Sequence, residues 1–274
     1  MENLNQNIEN HYLKEELYED ILNRLKEQGI DLNEVKRSDI AGVDEFHVRG
    51  AAVSKELADS LNLEGATVLD VGCGLGGPCR MLADEYNCQA TGLDLSNEYI
   101  RTAKELSKLV KLDSKTSFIQ GDATSLPFED NTFDVIWTQH VQMNIPNKEK
   151  FYSEISRVLK FGGHFLYYEV LKKGDGEINF PMPWASSSEI SFLFKETEMD
   201  NFLTQFGLTI VQSNDQTQHG IDFLNTLFTK LKKFGPPKIG LNALMGDTTK
   251  LKLINVIGHL NSGELELKSG VYKK

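Results

Sequence analysis

Long apolar runs are missing from this chain. No stretch approaches the roughly 20 residues that span a bilayer, and the polar start Met1-Glu-Asn-Leu-Asn-Gln-Asn has no signal-peptide core. Both absences lead to the expectation of a cytoplasmic protein. Cysteine is scarce: Cys73, Cys79 and Cys88 form an odd set whose separations of six and nine match no zinc pattern. They read as small buried side chains, with no metal site. Positive charge is also short, with 29 Lys and Arg against 40 Asp and Glu and a net charge of −11. Such a balance repels phosphate backbones, so neither nucleic acid nor an acidic membrane is expected as a partner. Internal repeats and low-complexity tracts are absent too. What remains is 274 residues with 40% hydrophobic content, enough for one large domain or one domain carrying an insertion.

The stretch that organises the rest is Thr67-Val-Leu-Asp-Val-Gly-Cys-Gly-Leu-Gly-Gly-Pro-Cys-Arg-Met-Leu-Ala83. Val68, Leu69 and Val71 read as a buried parallel strand with Asp70 near its carboxyl end. Gly72, Gly74, Gly76 and Gly77 follow, and Pro78 opens a helix, where its missing N–H costs nothing. Strand, glycine turn and helix form the layout in which a nucleotide-like ligand lies across the strand ends of an open α/β sheet. The dinucleotide fingerprint requires G-x-G-x-x-G; Asp-x-Gly-x-Gly-x-Gly fits it poorly.

Further strands follow. Ala90 to Ser96 ends in Asp94, 24 residues after Asp70, where a carboxylate can accept both hydroxyls of a ribose. Ser96 caps the next helix. Residues 116–120 form a third strand before Gly121-Asp122-Ala123, and Val135 to Thr138 a fourth before Gln139-His-Val-Gln-Met-Asn144. His164 to Leu171 is the fifth, with Glu169 near its end facing substrate or solvent. Asp70, Asp94 and Asp122 at successive strand ends are hard to explain without a ligand. Earlier in the chain, Leu17, Ile21 and Leu25 fit an amphipathic helix ended by Gly29, and residues 31–49 read as loop.

The loop Val-Leu-Asp-Val-Gly-Cys-Gly-Leu-Gly resembles the first motif of the class I S-adenosylmethionine-dependent methyltransferases. Within that class it is similar to the sarcosine and dimethylglycine, phosphobase, and sterol or quinone groups. The resemblance covers residues 47–171 well and the last strands loosely. It implies a Rossmann-like, doubly wound α/β fold: a mostly parallel seven-stranded sheet with helices on both faces. It divides the chain into an N-terminal helical cap (1–50), a cofactor-binding core (51–214), a helical insertion (215–262) and a final core strand (263–274). It implies S-adenosylmethionine as cofactor, held by His47, Asp70, Gly72, Gly74, Gly76, Asp94, Leu95, Asp122, Ala123 and Gln139. Asp122 would accept from the adenine amino group, Ala123 and Leu95 would cover the ring, and His47 would reach the methionine end.

The resemblance further implies methyl transfer to a small molecule by in-line displacement, an amine such as sarcosine or dimethylglycine being the leading acceptor. An O- or C-acceptor of apolar character is the first competitor; it would need a base, for which His140 is the candidate. Asn144 stands where the phosphobase enzymes carry a catalytic His, and Tyr18, with Tyr12, would point into the site from the N-terminal helices. A nucleotide-dependent oxidoreductase and a cofactor-binding module without catalysis are the readings from other classes. Residues 215–262 leave a lid and an oligomer interface, a homodimer among the options, both open.

Overall fold

The computed structural model describes residues 2–12 and 16–274. Its centre is β1 (Thr67–Val71), buried from Val68 to Val71. β1 pairs in parallel with β2 (Gln89–Asp94) on one side and β4 (Phe133–Gln139) on the other. β3 (Thr116–Gln120) extends the sheet beyond β2, and β5 (Leu159–Lys172) beyond β4, again in parallel. The far edge is antiparallel: β7 (Leu265–Lys273) lies between β5 and β6 (Thr209–Asp215). The order is β3-β2-β1-β4-β5-β7-β6, the seven-stranded, mostly parallel sheet that the sequence leads one to expect. Strand order reverses between β1 and β4, and the crevice outside the carboxyl ends there is where such sheets hold ligands.

Side chains alternate across the pleat, so each strand feeds two cores. Leu69, Ile136, Phe165 and Tyr167 face α7 (Lys148–Val158) and α8 (Glu196–Gln205). Val68, Val135, Trp137, Leu166 and Tyr168 face the other way, with α4 (Ala51–Ala58) and the helices that connect β6 to β7. Those helices are α9 (Thr217–Phe234), the short α10 (Asn242–Met245) and α11 (Thr249–Ser262).

The N-terminal region forms α1 (Glu2–Tyr12), α2 (Leu17–Glu27) and α3 (Arg37–Asp44). The last corrects the loop expected over 31–49. Eight residues are too few for the helical period to show, yet Ile40 and Val43 are fully buried against α2. Glu16, at φ 56°, is the N-cap of α2. α2 packs its Leu17, Ile21 and Leu25 face beside Tyr99 and Leu106 of α6 (Asn97–Leu109).

Arg80, on α5 (Gly77–Glu85), ties these parts together and is fully buried. Its Nη2 donates to Asp44 Oδ1 and to the Leu75 carbonyl, each at 2.6 Å, and its Nη1 to Ser107 Oγ at 3.1 Å. Burial pushes the Asp44 carboxyl up, against the pull of Arg80. Removing one partner of a buried pair strands the other charge. Arg80→Met is therefore expected to cost about 3–5 kcal/mol in chemical denaturation, and to loosen the glycine loop that Arg80 holds by the Leu75 carbonyl.

Candidate active site

A cleft of about 160 Å³ opens at the carboxyl ends of β1, β2 and β4, and the three acids reach it from separate strands. Asp70 is almost wholly buried; loss of water pushes its carboxyl up to about 8, against the donation of the Cys79 thiol at 3.5 Å. A carboxyl whose folded pKa is raised favours the folded state at low pH, and that stability is lost as pH rises through the folded value. The cofactor-free protein should therefore lose stability between about pH 4 and 8 through this group. Asp70→Asn should flatten that slope in melting temperatures taken across the range.

Gly72 and Gly74 follow at φ +76° and +54°, a region that costs little only for glycine. A Cβ on Gly72 would run into Val141, whereas no atom lies within 4 Å of the place where one on Gly74 would stand. The backbone at Gly74 is thus open to a ligand. Its N–H donates to Asp94 Oδ2 at 2.9 Å, and the Ser96 N–H donates to Oδ1 at 2.9 Å. Burial pushes the Asp94 carboxyl up, and these N–H groups draw it back. Each oxygen keeps a lone pair for a further donor. Asp122 Oδ1 accepts from the Thr124 N–H and hydroxyl, both at 2.7 Å, and Oδ2 accepts from Asn5 of α1 at 2.9 Å. Burial works against ionisation there, but these donors prevail and the carboxyl stays below the ordinary range. Leu95 and Ala123 also line the cleft.

A second group gathers after β4. Gln139 Oε1 accepts from Trp137 Nε1 at 2.8 Å and Ser54 Oγ at 3.1 Å, while its Nε2 is buried without a partner among the described residues. His47 Nε2 stands 2.6 Å from Glu45 Oε2, which also accepts from Ser54 Oγ at 2.9 Å. His140 sits at φ +53°, uncommon for a residue with a Cβ. Its N–H donates to the Tyr168 carbonyl at 2.8 Å. Its ring lies 4.7 Å from that of Tyr168 and 5.9 Å from that of His47, with Nε2 buried and unpartnered among the described residues. Burial first, and the neighbouring His47 second, hold this imidazole well below the ordinary histidine range.

Glu169 does not face solvent and does not line the cleft. It is fully buried, and Oε2 accepts from the Val141 and Gln142 N–H groups at 3.0 and 3.3 Å. It thereby fixes the turn that presents His140. Asn144 lines the cleft, but its amide is committed: Oδ1 accepts from Tyr12 at 2.8 Å, and Nδ2 donates to the Trp184 and Ile190 carbonyls. That suits a positioning part better than a chemical one.

Two expected residues do not reach the cleft. Tyr18 lies on α2, packs against the cluster that α2 shares with α6, and does not line the cleft. Gly76 caps α5 at φ +80°, where a Cβ would meet Phe118; its role is packing. In their place Tyr12, Asn5, Phe46 and Tyr99 line the wall. Residue type alone did not separate Tyr12 from Tyr18.

Behind His47 and His140 lies a second cavity of about 50 Å³, which shares Tyr12, Phe46 and both histidines with the first. Its far wall is Met143, Val170, Trp184 and, from the helices after β6, Leu224, Leu227, Met245, Leu253 and Val256. Its lining contains no Asp, Glu, Lys or Arg. Leu224 and Leu227 on α9, with Gly220 a turn before, are the periodic signal that could have pointed to it.

Residues 69–167 match the family described as a methyltransferase domain. Sterol 24-C-methyltransferase erg6 of Schizosaccharomyces pombe is 32% identical over 161 residues, which cover 57% of this chain and 43% of that protein. The match thus spans less than half the length of that curated relative. Among solved structures, a putative sarcosine dimethylglycine methyltransferase from Galdieria sulphuraria superposes with a TM-score of 0.65 at 22% identity, over 82% of this chain and 86% of that one. Geranyl diphosphate C-methyltransferase from Streptomyces coelicolor A3(2) gives 0.67 at 17%, over 81% and 78%. At these identities the two structures speak for the fold alone. Residues 69–167 thus carry a methyltransferase domain, and the fold around them is that of solved small-molecule methyltransferases.

Proposed function

We propose that this chain transfers the methyl group of S-adenosylmethionine to a small, apolar acceptor bound in the second cavity. The observation that carries the reading is the wall of that cavity, mostly aliphatic and aromatic and without an Asp, Glu, Lys or Arg. An ionised acceptor would lose its hydration there without a partner, which costs several kcal/mol per charge, roughly. An apolar one gains from burial. The sterol relative, by its name, methylates a carbon acceptor of this kind.

The first cleft suits the cofactor by its donor set. Asp94 would take the ribose hydroxyls, Asp122 the adenine amino group between Leu95 and Ala123, and the Gly72–Gly74 backbone with Asp70, Gln139 and His47 the amino-acid end. When bound, the cofactor supplies an electrophilic methyl group with a good leaving group. The chain's part is to bring both reactants into line, a contribution of roughly 7–11 kcal/mol in well-oriented systems. A carbon or hydroxyl acceptor must also lose a proton, and the neutral, unpartnered His140 Nε2 at the boundary between the cavities is placed to take it. Residues 215–262 serve this scheme as an insertion that roofs the acceptor.

An amine acceptor such as sarcosine or dimethylglycine is the second reading. The name of the Galdieria sulphuraria neighbour and the ring faces of Tyr12 and Trp184 favour it, since aromatic faces attract cations. Labelled methyl transfer to a panel of apolar olefins and phenols against these amines decides between them. Transfer to the apolar set is expected, and Leu227→Trp, which fills the cavity, should cut it at least about tenfold with cofactor binding retained. Turnover of the amines alone would overturn the apolar reading.

A further inference from the structure

The whole chain is acidic, but its charge is unevenly spread. Between Phe223 and Ile254 stand Lys230, Lys232, Lys233, Lys238, Lys250 and Lys252 against one acid, Asp247. All but Lys252 are exposed. Among the described residues no carboxylate lies within ion-pair distance of Lys230, Lys232, Lys233 or Lys250, and Lys238 donates to the Glu27 carbonyl. Beside these lysines are exposed apolar side chains: Phe234 is 75% exposed, Leu251 48% and Ile254 44%. Leu224 and Leu227 of α9 share a cavity wall with Leu253 and Val256 of α11. The end of α9 and the start of α11 therefore come to the same end of this helical pair.

We propose that this end of α9 and α11 docks on an anionic lipid surface, and that the apolar acceptor passes from the bilayer to the cavity beneath. Lysines around exposed aromatic and aliphatic side chains, on helices of which none is long and apolar enough to cross a membrane, are the signature of an interfacial segment. Charge complementarity selects the occupant, because the chain as a whole is acidic while this face carries exposed lysines without carboxylate partners among the described residues. The preceding turns of α9 line the acceptor cavity, so a docked protein would hold that cavity against the lipid. The purpose assigned to the docking rests on the apolar-acceptor reading; the docking itself does not.

Flotation of the full chain with phosphatidylcholine vesicles, and with mixed phosphatidylcholine–phosphatidylglycerol vesicles, tests this without cofactor or acceptor. Binding to the anionic vesicles alone is expected, weakened by salt. Lys230→Gln, Lys232→Gln and Lys233→Gln together should reduce partitioning roughly 100-fold, and Phe234→Ser should reduce it further. All four side chains are exposed, so these variants keep the fold. Absence from both vesicle fractions, or binding unchanged in the lysine variant, would overturn the proposal. Equal retention on duplex DNA, unmoved by Phe234→Ser, would assign the patch to a polyanion and overturn it too. A protein that floats but methylates only amines would instead sink the acceptor reading.

Discussion

Asp94→Ala is expected to weaken S-adenosylmethionine binding by roughly 10²–10⁴-fold, since two hydrogen bonds to a charged group are worth about 1.5–3 kcal/mol each. The loss has two sources. The carboxylate would no longer accept from a ribose diol, and the Gly74 and Ser96 N–H groups would lose the acceptor that sets the loop. Asp94→Asn separates them. Its amide keeps one oxygen, so the effect should fall between wild type and alanine. Titration calorimetry on the three proteins reads this directly. Equal binding by all three would remove Asp94 from the cofactor site.

His140→Asn is expected to lower methyl transfer by about 10²–10⁴-fold, the usual contribution of a positioned base, with cofactor affinity little changed. Asparagine is the chosen replacement because it tolerates the left-handed backbone that His140 occupies at φ +53°. A base acts while neutral, and its activity is lost as pH falls through its pKa. His140 lies well below the ordinary 6.5, so the wild-type rate should stay flat through neutral pH and drop only in acid. That limb should vanish in His140→Asn. Glu169, pushed up to about 7 by burial, titrates nearby and holds the turn through Val141 and Gln142. A rate profile measured on Glu169→Gln assigns the limb: if it persists, it belongs to His140. A full rate in His140→Asn would mean that the acceptor needs no base, as an amine does not.

Strand β1, its glycines and the acids at the strand ends were legible because each signal is local. An apolar run, a turn that only glycine follows and a carboxylate at a fixed place in a βαβ unit sit within a few residues of one another. The sheet order followed from that class of fold. What stayed hidden depends on contacts far apart in sequence. Tyr12 and Tyr18 look alike on paper, yet Tyr12 on α1 lines the cleft and meets Tyr99 of α6, whereas Tyr18 on α2 packs away from the cleft. Glu169 reads as a polar strand end, yet it is buried to receive two N–H groups from a turn some thirty residues earlier. Arg80 looks like a helix-surface cation and instead joins α3, α5 and α6. The second cavity needs α9, α10 and α11 to fold back over β4 and β5, which no short motif records. Net charge is a sum of the same kind: −11 describes the whole chain and does not record the lysine-rich end of α9 and α11.

The central claim, that the strand-end acids hold an adenosyl sulfonium cofactor, is tested most directly by titrating the wild-type protein with S-adenosylmethionine, S-adenosylhomocysteine and NAD. Saturable one-site binding of both adenosyl compounds, with none of NAD, is the predicted result. Binding of NAD alone would contradict it and return the chain to the nucleotide-dependent oxidoreductases.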